Sequence, residues 1–562
     1  MERFWLKSYP LGVPADVDTN GFDSLVALIE ESFRSFRDRT AFYCMGRAMT
    51  YGELDVASRQ FAAYLVGLGL KRGDRVAIMM PNVLQYPVAV AAVLRAGFIA
   101  VNVNPLYTPR ELEHQMKDSG AKAIVILENF ANTLEQVLAR TEIEHVVLAS
   151  MGDMLGFVKG LIVNFVVRRK MVPPYSLPKA VPFNRAVAEG ANKTFERPTF
   201  KKEDIAVLQY TGGTTGLAKG AALSHGAILA AVIASDHWLQ PALQKKPVDG
   251  GVVYICALPL YHVYAFVNCS LMAMRAGGSA VLIPNPRDIP GLVKEMSKYT
   301  VHFFPAVNTL FNALVNNPEF ARLDFSKFVS STGGGAAVQE TVARKWQQIT
   351  GAPIVEGYGL SETCSGITCN PANITEFTGT VGLPMPGVEI RVADDDGVSV
   401  PLGQSGEVLI RGPQLMSGYW GQPEETAKAM TADGFFKSGD IGVMDERGYL
   451  KIVDRKKDMI IVSGFNVYPN EVEAVVAEHP GVLECAAVGA PDPRSGEAVM
   501  LYVVRKDHDL TADALKAFLK TQLTGYKMPH RIEFRETLPK TNVGKILRRE
   551  LRDEAMGKTP SA

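Results

Sequence analysis

The segment Tyr210–His225, YTGGTTGLAKGAALSH, concentrates the residue types that bind phosphate. Gly212, Gly213 and Gly216 let a backbone approach an anion closely. The hydroxyls of Thr211, Thr214 and Thr215 and the loop amides donate to its oxygens. Lys219 adds a cation. An apolar run, IAVLQY, reads as a strand that delivers Tyr210 to this loop. A Walker loop needs Gly-Lys-Ser/Thr after four free positions, but Lys219 lies between Ala218 and Gly220; the dinucleotide pattern GxGxxG fails as well. The segment therefore reads as a phosphate loop of another type, against the plainer reading of a flexible Gly/Thr turn.

This loop resembles the phosphate motif YTSGTTGxPKG of the adenylate-forming superfamily, which includes acyl-CoA synthetases, beetle luciferases and peptide-synthetase adenylation domains. Gly212 stands where Ser is usual and Ala218 where Pro is usual. Further motifs follow in the family's order. PLYHVYAF (Pro259–Phe266) is similar to a segment bordering the acyl pocket, with His262 shaping it. STGGGAAV (Ser331–Val338) is similar to the turn along adenine, with Gly333, Gly334, Gly335 and Ala336. EGYGLSET (Glu356–Thr363) implies that Tyr358 and Gly359 meet adenine and that Glu362 holds Mg²⁺. KSGDIG carries Asp440 for the ribose hydroxyls. DRKKDMIIVSGFNVYPNEVE (Asp454–Glu473) carries Arg455 for the nucleotide and Lys457 as a hinge. PKTNVGKILRRELR (Pro539–Arg552) carries Lys545, the adenylation lysine.

The resemblance implies two reactions: ATP and a carboxylic acid give acyl-AMP and pyrophosphate, and coenzyme A then takes the acyl group as a thioester. In the first, two anions must meet. A carboxylic acid with a pKa of about 4–4.5 is already ionised at neutral pH, so no general base is required. The burden is electrostatic and geometric. It falls on Lys545, Glu362 with Mg²⁺, Thr214, and the other phosphate donors Tyr210, Thr211, Gly212, Gly213, Thr215, Gly216 and Lys219. In the second, the thiol belongs to coenzyme A, since no Cys/His pair is offered by a motif. The family implies that the small domain rotates, withdrawing Lys545 and presenting Ser463, Gly464 and Phe465, with Lys527 beside the coenzyme.

For the acid, acetate-specific relatives place Trp just after the adenine aromatic, where this chain has Gly359. Gly333 lies nearby, so a longer cavity is expected. The wording resembles bacterial long-chain fatty-acid–CoA ligases. The alternatives are a medium-chain or aryl acid, or delivery of the acyl group to a carrier protein. A non-catalytic relative would lack Glu362 or Lys545, and both are present.

These residues need a scaffold. Strand, helix, strand, helix, strand alternate from RVAIMM at Arg75, through Tyr86–Ala96, FIAVNVN and Pro109–Ser119, to KAIVIL. That rhythm predicts a parallel α/β sheet, and it returns from Val252 to Ile354. From Thr380 to Lys451 short strands are punctuated by Gly and Pro, which predicts antiparallel β structure. Beyond Asp454 a smaller α+β unit is expected, with helices at Asn470–His479 and Ala512–Leu523 and strands at Leu483–Val488 and Val499–Val504. The fold class is thus α/β: two α/β layers with a β-barrel-like part (1–454) and a small mobile α+β lid (455–562).

The stretch Leu155–Tyr175 has an apolar core broken by Lys159 and Asn164 and followed by Arg168, Arg169 and Lys170. It is short of the about 20 apolar residues of a membrane span. It reads either as a buried element with a solvated end or as a shallow contact with an anionic membrane surface.

The chain has 562 residues and a formal net charge of +0, so bulk attraction to nucleic acid is not expected. The length predicts several folded units. The six cysteines form no CxxC pair and no zinc-finger spacing, which suits reduced thiols in the cytoplasm. The N-terminal residues lack a secretory h-region. The expected location is cytoplasmic, with peripheral contact on the inner face of the membrane as the functional reading of Leu155–Lys170. A homodimer is compatible with these features.

Overall fold

The computed structural model describes residues 3–211, 218–541 and 544–557. Its largest sheet has eight strands, in the order Gly418–Tyr419, Lys219–Ser224, Ile205–Thr211, Ile99–Asn102, Arg75–Met79, Ala123–Leu127, His145–Ala149 and Val181–Pro182. From Ile205–Thr211 onward the pairs are parallel. The two strands at the other edge run antiparallel. The strands Arg75–Met79 and Ala123–Leu127 are almost wholly buried, because helices cover both faces. Helix Pro109–Ser119 begins where the sequence predicts, with Thr108 and Glu111 closing a capping box and Gly120 in the left-handed conformation at its end.

A second sheet joins Val253–Cys256, Ser279–Leu282, Thr40–Cys44 and Arg47–Thr50, the first three in parallel. One continuous hydrophobic core lies between the helices and these sheets. The predicted antiparallel part is the sheet Glu389–Ala393, Ser405–Arg411, Phe436–Met444 and Leu450–Arg455. A fourth sheet, Ser331–Gly333, Ile354–Leu360, Ser365–Cys369 and Leu383–Pro384, carries the glycine-rich and EGYGLSET motifs. After Arg455 a separate five-stranded sheet begins at Ile460. Its long hairpin, Val482–Asp492 with Gly496–Arg505, outruns the two short strands read from the sequence. This sheet has its own core with helices Pro469–Ala477 and Ala512–Leu519.

Residues 157–171 form one helix, Phe157–Met171, entered through Gly156 at φ +88. Three of its polar side chains, Lys159, Asn164 and Arg168, bond back to the large domain, while Arg169 and Lys170 are exposed. Asn164 Oδ1 accepts from the Gly152 amide (2.6 Å), Arg168 Nε donates to the buried Glu128 (2.8 Å), and Lys159 reaches the Met45 carbonyl. Gly160 packs on Gly152 so closely that an added Cβ would lie 2.6 Å from the Gly152 carbonyl oxygen. Its apolar residues point outward: Phe157 is 83% exposed and Phe165 67%, with Val158, Leu161 and Ile162 exposed beside them. The buried-element reading therefore does not hold for this helix. Among the described residues no helix is long and apolar enough to cross a membrane.

Candidate active site

The strand Ile205–Thr211 and its antiparallel partner Lys219–Ser224 flank the candidate phosphate loop, with Thr211 opposite Lys219. Gly212, Gly213, Thr214, Thr215 and Gly216 lie outside the described residues. The Tyr210 hydroxyl donates to Asp118 (2.6 Å), and Gly220 makes room for its ring, since a Cβ there would lie 3.0 Å from it. Tyr210 thus braces the loop's base and lines the cleft. Lys219 pairs with Glu425 and lies over the Tyr419 ring, 5.1 Å from its centroid.

A cleft of about 2640 Å³ opens beside Thr211 and Lys219. Thr211, Lys219, His262, Gly333, Gly334, Gly335, Ala336, Tyr358, Gly359, Glu362, Asp440, Arg455, Lys457 and Lys545 all line it, so strands of three sheets and the small domain's Lys545 meet in one space. Trp238, Leu239, Met272, Phe303 and Phe304 give the same cleft apolar lining. Tyr358 donates to Asp440 Oδ2 (2.5 Å), and Arg455, directly across the ladder, pairs with Asp440 Oδ1 (3.1 Å). Asp440 is therefore held on both oxygens.

Glu362 is withdrawn from water, which pushes its carboxyl pKa up; the Tyr419 hydroxyl, donating to Oε1 at 2.9 Å, opposes that shift. The Met416 amide donates to the Glu362 carbonyl at 2.7 Å. Among the described residues no cluster of three or more His, Cys, Asp or Glu could hold a metal by itself. His262 accepts from the Tyr264 amide at 3.3 Å, and burial pushes its pKa down to about 3, so its imidazole is neutral and caps a turn.

Gly359 requires a correction of its reason. A Cβ there would lie 1.8 Å from the Ser365 carbonyl oxygen, so the hairpin backbone, not an open acyl cavity, demands glycine. Gly335, at φ +79, is needed for another approach: a Cβ would meet Lys545 Cε at 3.0 Å. The Lys545 side chain thus reaches into the cleft from the small domain. Thr309 Oγ1 donates to the Gly544 carbonyl (3.1 Å) and Asn312 Nδ2 to that of Leu483 (3.2 Å), which fastens the small domain there. Withdrawal from water, aided by Arg455, lowers the Lys545 pKa to about 8, and the same cause brings Lys457 to about 8.

Ser463, Gly464, Phe465 and Lys527 do not line this cleft. Ser463 and Gly464 form a left-handed turn (φ +51 and +81). Phe465, 57% exposed, stacks on Tyr526 with centroids 4.9 Å apart, and Lys527 pairs with Glu471 at 2.5 Å. The arrangement is the one with Lys545 in the cleft and the Ser463–Phe465 turn outside it.

Three cleft residues were missed in the sequence: Tyr419, Glu425 and Glu356. Glu356 is buried, accepts from the Val338 amide at 3.0 Å and is pushed up by burial to about 8; it ties the glycine-rich turn to its strand. It stands in a quoted motif, so position alone could have flagged it. Tyr419 and Glu425 carry no such signal, since sheet pairing brings Tyr419 to Lys219 and the helix Pro423–Ala429 that follows brings Glu425.

Comparison with known proteins agrees with this geometry. Residues 29–420 match the AMP-binding enzyme family and residues 471–545 its C-terminal domain. The long-chain-fatty-acid–CoA ligase of Escherichia coli O6:H1 is 54% identical over 562 residues, covering 99% of both chains. That of Haemophilus influenzae is 50% identical and covers 100% of both. ATP-bound MatB from Rhodopseudomonas palustris superposes with a TM-score of 0.79 at 28% identity, covering 94% of this chain and 98% of that one. The chain belongs to the AMP-binding enzyme family, and within it stands with the bacterial long-chain-fatty-acid–CoA ligases.

Proposed function

We propose that the protein activates a long-chain fatty acid with ATP, releasing pyrophosphate to form acyl-AMP, and then transfers the acyl group to coenzyme A with release of AMP. The observation that carries the chemistry is the meeting of Lys219, Glu362, Asp440 and Lys545 in one cleft with apolar lining. Full-length identity of 50–54% to long-chain-fatty-acid–CoA ligases carries the choice of acid.

Lys219, with Thr211 and the loop residues Thr214 and Thr215, holds the β- and γ-phosphates. Asp440 accepts from the ribose hydroxyls, held in place by Tyr358 and Arg455. Lys545 meets the incoming carboxylate and the α-phosphate and stabilises the charge that develops between them. Glu362 suits Mg²⁺, which uses one or two carboxylates and completes its shell with water and substrate phosphates; when bound, the ion neutralises triphosphate charge. For thioester formation the small domain turns about Lys457, which follows the last strand of one sheet and precedes the first of the next. This turn removes Lys545 and brings Ser463, Gly464 and Phe465 to the acyl group, with Lys527 beside coenzyme A.

The helix Phe157–Met171 adds peripheral contact with an anionic membrane surface. Its exposed apolar face and the exposed cations Arg169 and Lys170 support that contact.

Pyrophosphate release measured with saturated acids of increasing chain length, with and without coenzyme A, tests the reading. Maximal release is expected with long chains, and acyl-CoA only when coenzyme A is present. A maximum at short or aromatic acids would overturn the choice of acid. The 33% identity to feruloyl-CoA synthase of Amycolatopsis, over 90% of this chain, makes the aryl acids an informative arm.

A further inference from the structure

The candidate phosphate-binding lysine lies on the strand Lys219–Ser224 and the candidate metal carboxylate in the turn Ser361–Thr363, yet one side chain touches both. The two-residue strand Gly418–Tyr419 pairs with Lys219–Ser224, placing Tyr419 opposite Ala221. Ala221 and Lys219 share a face, because side chains alternate along a strand. Tyr419 is therefore the diagonal neighbour of Lys219, within reach of a large side chain. The Ser417 amide donates to Ala222 O (2.9 Å) and the Trp420 amide to Gly220 O (2.8 Å), which extends the same register. Thr426 Oγ1 accepts from the Tyr419 amide (2.9 Å), and Gly418 is required beside it, since a Cβ would lie 2.9 Å from Thr426.

From this anchored position the ring lies beneath Lys219 Nζ, 5.1 Å from centroid to nitrogen, and the hydroxyl donates to Glu362 Oε1 at 2.9 Å. The same segment also holds the Glu362 main chain through the Met416 amide.

We propose that Tyr419 is a positioning residue for the nucleotide site: its ring seats Lys219 for the triphosphate, and its hydroxyl orients the Glu362 carboxylate toward the cation that accompanies ATP. The inference rests on the proposed roles of Glu362 and Lys219. A hydroxyl donating to Oε1 fixes the direction in which the Glu362 carboxylate presents its remaining acceptor sites. The aromatic face attracts an ammonium and costs no competing negative charge.

The test is calorimetric titration of ATP into the full-length enzyme without acid or coenzyme A, once with Mg²⁺ and once with EDTA. Wild type is expected to bind more tightly with Mg²⁺. Tyr419→Phe keeps the ring and removes only the hydroxyl. It should lose roughly tenfold of the affinity in Mg²⁺, as for a hydrogen bond to a charged group, and none in EDTA. Tyr419→Leu should weaken binding in EDTA as well, because it also removes the surface beneath Lys219; thermal melting of both variants checks folding. A Tyr419→Phe variant with the wild-type Mg²⁺ gain, or with equal losses in both buffers, would overturn the hydroxyl's role. Identical Phe and Leu variants would overturn the ring's role. Glu362→Gln and Lys219→Ala separate this from the underlying reading. If Glu362→Gln keeps the Mg²⁺ gain, or Lys219→Ala binds ATP normally, those roles themselves fail. If both behave as expected while Tyr419→Phe does not, only the present inference fails.

Discussion

Lys545 is a cation held where water is scarce, with Arg455 among its neighbours, and its pKa falls to about 8. In the free enzyme the charged form therefore prevails below about pH 8 and is lost as pH rises through that value. The value of kcat/KM reports the free enzyme, so for ATP it should decline above about pH 8, while a Lys545→Ala variant shows no such step. That variant should lose roughly 10²–10³ of the rate of pyrophosphate release, the cost of one transition-state contact. It should retain thioester formation from supplied acyl-AMP, and a variant that adenylates normally would refute the role. Gly359 makes a different prediction. With a Cβ only 1.8 Å from the Ser365 carbonyl oxygen, Gly359→Ala should cost about 1–3 kcal/mol or more in stability, seen as a lowered Tm. Lys219, Glu362, Asp440, Arg455 and Lys545 could be picked out as cleft residues because they stand in spaced motifs, whereas Glu425 could not. The reason for Gly359 was not, because a glycine that opens a pocket and one that admits a neighbouring backbone look alike. Tyr419 was not legible either, since its partners are set by sheet register rather than by adjacent residues.

The helix Phe157–Met171 carries its polarity the wrong way round for a soluble surface. Gly160, Asn164 and Arg168 recur at fourth positions and face the protein, while Phe157, Leu161, Ile162 and Phe165 face out. Lys159 and Asn164 looked in the sequence like breaks in an apolar run; in the fold both side chains hydrogen-bond backbone groups of the large domain. Hydropathy revealed the apolar stretch but not its outward aim, because periodicity does not say which stripe meets the core. Replacing Phe157, Ile162 and Phe165 together by Gln should abolish co-sedimentation with anionic vesicles. It should shift stability by no more than about 0.5 kcal/mol, as for exposed sites. Unchanged vesicle binding would remove the membrane contact. Asn164→Ala should act oppositely: losing the acceptor of the Gly152 amide should cost about 1–3 kcal/mol, read as a lower Tm. The alternating strands and helices of the large sheet were read correctly because buried parallel strands are continuous apolar runs. The long C-terminal hairpin was read short, because its ends Pro491–Asp492 and Gly496–Glu497 carry turn-forming residues inside a paired ladder.

At the scale of the whole molecule, the proposed second reaction asks for a different placement of the small domain from the one that puts Lys545 in the cleft. Lys545 reaches the cleft with the small domain fastened through Thr309–Gly544 and Asn312–Leu483, and in that arrangement the Ser463–Phe465 turn does not line the cleft. If the two reactions need two arrangements, holding the first should permit adenylation and block thioester formation. Cysteines at Asn312 and Leu483, whose groups already meet at 3.2 Å, give that lock. The chain's own cysteines compete little, since five are buried and Cys369 is only partly accessible. The bond between the new thiols must not be a disulfide, because coenzyme A is itself a thiol and would exchange with it; a short bis-maleimide serves. The cross-linked double variant should release about one equivalent of pyrophosphate per enzyme in a burst and then stall, with acyl-AMP retained and almost no acyl-CoA formed. The same variant without cross-linker should turn over normally. A locked enzyme that makes acyl-CoA at the unlocked rate would show that the small domain need not move, and the hinge role of Lys457 would fall with it.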